Sequence, residues 1–262
     1  MEKASMEFVR SERRGDHILL VTIDRPEARN AISEEVTRQL DAIVHDSEHD
    51  SSVRCVILTG AGGKVFCAGA DLKVVANGRL EHLYTLRGGL AGLTHADRTK
   101  PWVAAVEGIA VAGGCELALS CDMIVASEDG SFGLPEVTRG LAAAAGGLYR
   151  LPRALPRAVA LEMIATAKPI SAQRAWQLGM VNRLAPKGGV VDAALEMAET
   201  IAANAPLAVT ESLAIARRSQ DLSDASLRAL GDTAQRRLML TEDFAEGPRA
   251  FIEKRAPKWV GR

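Results

Sequence analysis

The sequence predicts an α/β fold. Two β-branched apolar runs, HILLVTIDRP (17–26) and VRCVILTG (53–60), each end in Pro or Gly as buried strands do. A stretch of helical periodicity lies between them, and strand-like runs return at WVAAVEG (102–108) and MIVAS (123–127). Strands alternating with helices build an α/β body.

In chain order, the first helix is read over SEEVTRQLDAIVHDSEHD, where Val36, Leu40, Ile43 and Val44 recur at helical spacing and Ser33 is a candidate N-cap. Between the third and fourth strands, VAGGCELALSC (111–121) is expected to form a short helix starting near Gly113 and Gly114. After Gly140 the chain becomes rich in alanine. Helices are expected at 157–167, at 171–179 with Ser171 and Gly179 as start and stop signals, and at 190–205. From Pro206 onward nearly everything reads as helix, so a division between an α/β body and a helical tail falls near 186–206. No repeat and no low-complexity linker marks it.

The chain has 262 residues, 47% hydrophobic and 25% charged, the composition of an ordinary globular protein with an aliphatic core, since aromatics are only 4%. A net charge of −1 gives no broad footprint for a polyanion, so nucleic-acid binding is not expected. The N-terminal stretch lacks the apolar segment of a secretory signal, which makes the cytoplasm the expected location. The longest apolar neighbourhood, 102–127, is interrupted by Glu107, Glu116 and Asp122 and does not suit a membrane span. Cys55, Cys67, Cys115 and Cys121 form no C-x-x-C pair and are expected to be reduced, buried thiols; no metal site is expected.

Three features could carry chemistry. FCAGADL (66–72) is a small-residue turn after a strand; neither a dinucleotide fingerprint nor a P-loop is present, but small residues let a ligand approach backbone N–H groups. The start of the 111–121 helix offers unpaired amides and the positive end of the helix dipole. Glu116, one turn in, reads either as an acid matched to that dipole or as a functional carboxylate. In SFGLPEV (131–137), Glu136 follows a proline at the end of a short extended segment and reads either as a solvated loop acid or as a partner for Glu116. Two carboxylates beside exposed amides suit acid–base chemistry next to a stabilised oxyanion. No Ser-His-Asp or Cys-His arrangement competes, and the five histidines fall in charged or loop-like surroundings.

Taken in order, RPEARNAIS, ILTGAGGKVFCAGADLK, KPWVAAVEGIAVAGGCELALSCDMIVAS, FGLPEV and FIEKRAP resemble the crotonase family of acyl-CoA enzymes, and within it the enoyl-CoA hydratases, from about residue 8 to the C-terminus. The resemblance implies a crotonase-like spiral of ββα turns over 1–200 that holds the active site, and a C-terminal helical region over 201–262 that supports a homotrimer or hexamer. It implies an acyl-CoA thioester as substrate and no cofactor beyond the coenzyme A that the substrate carries. It maps an oxyanion hole onto the backbone N–H groups of Ala68 and Gly113 and the water-holding acids onto Glu116 and Glu136. Coenzyme A contacts map onto Arg29, Ala70, Asp71 and Leu72, and onto Phe251 and Lys254, which reach a neighbouring subunit's ligand. RLPRALPRAVALEMI and WQLGMVNRLAP are also similar to the crotonobetainyl-CoA hydratase (carnitinyl-CoA dehydratase) branch. Isomerase or hydrolase action on another acyl-CoA, and a non-catalytic acyl-CoA-binding protein, are the remaining alternatives. One departure stands out: LAAAAGG (141–147) carries Ala143 and Ala144 where the family pattern has Pro and Gly, so a different backbone path is expected beside the second acid.

Overall fold

The computed structural model describes residues 7–262. In chain order its elements are β1 (Val9–Arg14), β2 (Ile18–Ile23), α1 (Glu34–His49), β3 (Cys55–Gly60), β4 (Val65–Cys67), α2 (Leu72–Ala76), β5 (Tyr84–Thr85), β6 (Gly89–Leu90), β7 (Trp102–Val106), β8 (Ile109–Val111), α3 (Gly113–Ser120), β9 (Met123–Ser127) and β10 (Ser131–Gly133). They continue with α4 (Gly147–Ala154), α5 (Arg157–Thr166), β11 (Ile170–Ser171), α6 (Ala172–Gln177), β12 (Arg183–Ala185), α7 (Val190–Ala202), α8 (Pro206–Ala216), α9 (Asp224–Leu238) and α10 (Glu242–Ile252).

Two main sheets build the body, beside a two-stranded pair of β5 and β6. The larger runs β1-β2-β3-β7-β9-β12 and the smaller β11-β10-β8-β4. The β2–β3, β3–β7, β7–β9 and β9–β12 pairs are parallel, as are β4–β8 and β8–β10. The chain therefore climbs a spiral. It passes through one strand of the large sheet, one of the small sheet and a helical segment, and repeats the cycle as β3-β4-α2, β7-β8-α3 and β9-β10 followed by a 3-10 turn at Glu136–Arg139. The ββα spiral implied by the resemblance is the observed architecture.

The central strands of the large sheet bury both faces. Val21, Ile23, Val56 and Leu58 point into the main core, while the alternate residues Ile18, Leu20, Cys55 and Ile57 meet Ala194, Ala198 and Ala202 of α7 on the outer face. Period-two alternation along each strand and an i, i+4 alanine stripe along the helix explain why α7 lies flat on the sheet. The helix starts expected at Ser33 and Ser171 hold: their hydroxyls accept from the Val36 and Arg174 N–H groups. All four cysteines are free and buried. Among the described residues no helix is long and apolar enough to cross a membrane, and no group of three or more His, Cys, Asp or Glu could hold a metal ion.

The three-residue strands β4 and β8 were not foreseen. They are too short to show alternation, and their neighbours read as turn and helix. β1 was also missed because only Val9 of its six residues is buried, leaving an edge strand with no apolar pattern. The helical tail packs loosely on its own body: α8 has no buried residue and α9 has only Ala234.

Candidate active site

The spiral brings the two small-residue stretches together. A Cβ built on Gly114 would lie 2.0 Å from the Cys67 carbonyl oxygen, so α3 can sit directly on β4 only because that position is glycine. Just beyond, the 68–70 segment passes the first turn of α3, where Gly69 packs against Ala112 and Gly113. A cavity of about 760 Å³ opens at this junction, lined by Ala70, Gly113, Glu116, Tyr84, Glu136 and Leu141 among others.

Glu116 is only 3% exposed, one turn into α3. The Gly147 N–H donates to its Oε1 at 2.9 Å. Burial pushes its carboxyl up to about 7, and the nearby Glu136 pushes the same way, against the pull of the Gly147 amide. Glu136 opens the 3-10 turn, and burial raises its carboxyl too, with Arg139 drawing it partly back. Its Oε2 is buried and makes no hydrogen bond among the described residues. A buried carboxyl oxygen with no protein partner calls for one from elsewhere, and Glu136 lines the cavity, where a water or substrate can supply it. Both sequence-predicted acids thus line one cavity, and burial raises both carboxyls, that of Glu116 to about 7, where acid–base work at neutral pH is served.

The oxyanion hole expected at Ala68 needs correction. The Ala68 N–H donates to the Arg29 carbonyl at 3.1 Å and has no free donor to offer. Two residues on, Ala70 bridges to Ile32 in parallel fashion. In that bridge the Ile32 N–H donates to the Gly69 carbonyl and the Asp71 N–H to the Ile32 carbonyl. The Ala70 N–H points the other way and makes no hydrogen bond among the described residues. Gly113, the first residue of α3, likewise has an unpaired N–H, as the start of any helix does. The pair of free amides at the cavity is therefore Ala70 and Gly113. The turn that aims them is tight: Gly69 has φ +88, and a Cβ there would meet the Gly113 nitrogen at 2.9 Å. Ala112, the residue before the helix, holds φ 52 and ψ −132, a strained conformation for alanine beside the site.

Of the other candidates, Arg29, Asp71 and Leu72 line the same cavity. Arg29 is exposed with φ 55. Asp71 has structural work as well: it caps α2 through the Lys73 N–H and pairs with Arg25 at 3.2 Å. Leu72 is exposed. Phe251 and Lys254 lie at the end of α10, exposed and away from the cavity of their own chain. The sequence reading passed over Arg25 and Arg139, both of which line the cavity. Spacing could have found Arg139, three residues after Glu136 on a helical turn. In the acyl-pocket segment, Leu80 and Tyr84 face the cavity, but Leu83 is fully buried in the core and Leu86 stands in solvent. At LAAAAGG, Ala143 and Ala144 avoid positive φ; only Gly146 adopts it, at φ 122, and the following Gly147 supplies the amide that holds Glu116.

Against known proteins, the family model described as Enoyl-CoA hydratase/isomerase matches residues 13–262. A carnitinyl-CoA dehydratase of Proteus mirabilis is 40% identical over 250 residues, covering 94% of this chain and 95% of that protein. A carnitinyl-CoA dehydratase of Salmonella typhi is 39% identical over 254 residues, covering 95% and 97%. Among solved structures, an enoyl-CoA hydratase from Mycobacterium marinum superposes with TM-score 0.93 at 45% identity, covering 97% of this chain and 99% of that one. A carnitinyl-CoA hydratase from Mycobacterium avium gives TM-score 0.77 at 43% identity, covering 98% and 100%.

Proposed function

We propose that this chain, which belongs to the enoyl-CoA hydratase/isomerase family, is a hydro-lyase that reversibly adds water to a trans-2-enoyl-CoA thioester. The observation that carries this reading is the pairing of two buried acids, Glu116 and Glu136, with two unpaired amides, Ala70 and Gly113, around one cavity.

The steps follow from that arrangement. The thioester oxygen lies between the Ala70 and Gly113 N–H groups, which polarise the enoyl system. Glu116 takes a proton from water as the water oxygen bonds to C3. The C2=C3 electrons move toward the carbonyl, and the enolate charge settles on the oxygen that the amides hold. Glu136 then delivers a proton to C2. Dehydration is the same path reversed. Each oxyanion donor of this kind contributes about 3 to 4 kcal/mol to the barrier reduction, so the amides matter on the same scale as the acids.

Coenzyme A enters with the substrate, and the reaction needs no other cofactor. Arg29 supplies a guanidinium for its phosphates, and the backbone of Ala70, Asp71 and Leu72 receives the rest. The protein works in the cytoplasm as a homotrimer or hexamer, in which Phe251 and Lys254 reach a neighbouring subunit's coenzyme A. The exposed Leu240, Phe251 and Ile252 support this assembly, because an apolar patch of that kind favours a partner surface. The mass found by sedimentation at micromolar concentration tests it, and a monomer there overturns it.

The second reading, a crotonobetainyl-CoA hydratase, uses the same machinery and is supported by the relatives so named at about 40% identity. A panel of trans-2-enoyl-CoA thioesters, with loss of the conjugated chromophore followed and products identified by mass spectrometry, tests both. Hydration products are expected; binding without turnover across the panel indicates a non-catalytic acyl-CoA-binding protein instead.

A further inference from the structure

Four cations line the cavity: Arg25, Arg29, Lys73 and Arg139. Three come from the side built by residues 25–31 and 70–75, where coenzyme A is placed, and one of these, Arg25, is tied to Asp71. Arg139 stands apart. It closes the 3-10 turn that Glu136 opens. In a 3-10 helix, residues i and i+3 eclipse, so the two side chains leave the same face, about 6 Å apart along the axis. Arg139 is exposed, and makes no hydrogen bond and no ion pair among the described residues. Its guanidinium is still close enough to Glu136 to draw that carboxyl down.

With C3 of the substrate at the two acids, the substituent on C4 lies beyond them, along the wall where Arg139 and Leu141 follow Glu136. We propose that Arg139 reads the charge carried at C4, favouring 2-enoyl thioesters with a carboxylate there and disfavouring the quaternary-ammonium counterpart. The proposal rests on the hydratase reading and separates its two versions. Two further observations agree with it. Among the described residues Tyr84 is the only aromatic side chain lining the cavity, whereas a quaternary ammonium is held by several aromatic faces. With no ion pair of its own among the described residues, Arg139 is the positive charge on that wall that a C4 substituent meets.

Crotonyl-CoA, glutaconyl-CoA and crotonobetainyl-CoA share the C1–C4 skeleton and carry at C4 no charge, a carboxylate and a trimethylammonium. Hydration of all three is measured with the wild type, Arg139→Gln and Arg139→Glu, and each kcat/KM is divided by that for crotonyl-CoA to cancel any effect on Glu136. The wild type is expected to prefer glutaconyl-CoA over crotonobetainyl-CoA. Arg139→Gln is expected to cut that preference about five-fold, the scale of one exposed charge pair, and Arg139→Glu to cut it further. Added salt should weaken the wild-type preference and leave that of the Gln variant unmoved. Identical ratios in all three proteins, or a wild-type preference for crotonobetainyl-CoA, overturn the proposal while leaving hydration intact. Loss of all three turnovers in the wild type overturns the hydratase reading itself, and the proposal with it.

Discussion

Glu116 sits where an acid is costly, among apolar residues of a short buried helix, and its environment states the price in protons. Burial lifts its carboxyl from an ordinary value of 4.5 to about 7 in the folded chain. A group raised on folding contributes its stability in full below the unfolded value and loses it as pH rises through the folded one. The window here runs from about pH 4.5 to 7, and the difference is worth roughly 3 kcal/mol. Glu116→Gln should therefore unfold at a higher temperature than wild type at pH 8 and at nearly the same temperature at pH 4.5; a thermal melt at each pH checks this. As the base Glu116 must be ionised and as the acid Glu136 must keep its proton, so kcat/KM for hydration should rise with pH as Glu116 ionises near 7 and fall again as Glu136 loses its proton. The sequence made Glu116 visible because it interrupts an apolar run, whereas Glu136, an acid after Pro135 in a loop, stood out only beside Glu116 and through the resemblance. It could not tell Ala68 from Ala70, since which amide is free depends on the Arg29 carbonyl, 39 positions away in the chain from the first of them.

The helix α3 and the turn that feeds it carry the site's geometry. Gly69→Ala places a Cβ at φ +88 and within 2.9 Å of the Gly113 nitrogen, which forces apart the two amides. Its turnover should fall about a hundred-fold, the effect of losing one oxyanion donor, with a smaller change in binding; steady-state kinetics beside a binding titration separates the two. Ala112 makes the opposite prediction. Its φ of 52 is natural to glycine and strained for alanine, so Ala112→Gly should raise stability by about 1 kcal/mol, read from urea unfolding. These short elements were the least legible part of the sequence. The large-sheet strands showed themselves through apolar runs, but β4 and β8 have three residues each, and what fixes them is pairing across the small sheet.

At the scale of the whole molecule, the helical tail is joined to the body by a few polar ties as well as by packing. Arg217, just past α8, donates to both oxygens of Asp122 and to the Arg98 and Lys100 carbonyls. Arg217→Met should destabilise the chain by about 2 kcal/mol, the scale of hydrogen bonds to a charged group, while leaving kcat within two-fold, because the tie lies away from the cavity; a melt paired with an activity assay checks both. The sequence showed where the body gives way to helices but not these ties, which link residues about a hundred positions apart. The spiral itself became legible through the order of motifs rather than through any one strand, since each turn is completed by a strand too short to announce itself.

Acid–base hydration by the two glutamates is tested most directly by turnover of Glu116→Gln and Glu136→Gln, singly and together, with crotonyl-CoA and with binding measured in parallel. Each single variant is predicted to lose at least about a hundred-fold in kcat and to bind the thioester within a few-fold of wild type. A double variant that still hydrates crotonyl-CoA at the wild-type rate would contradict it.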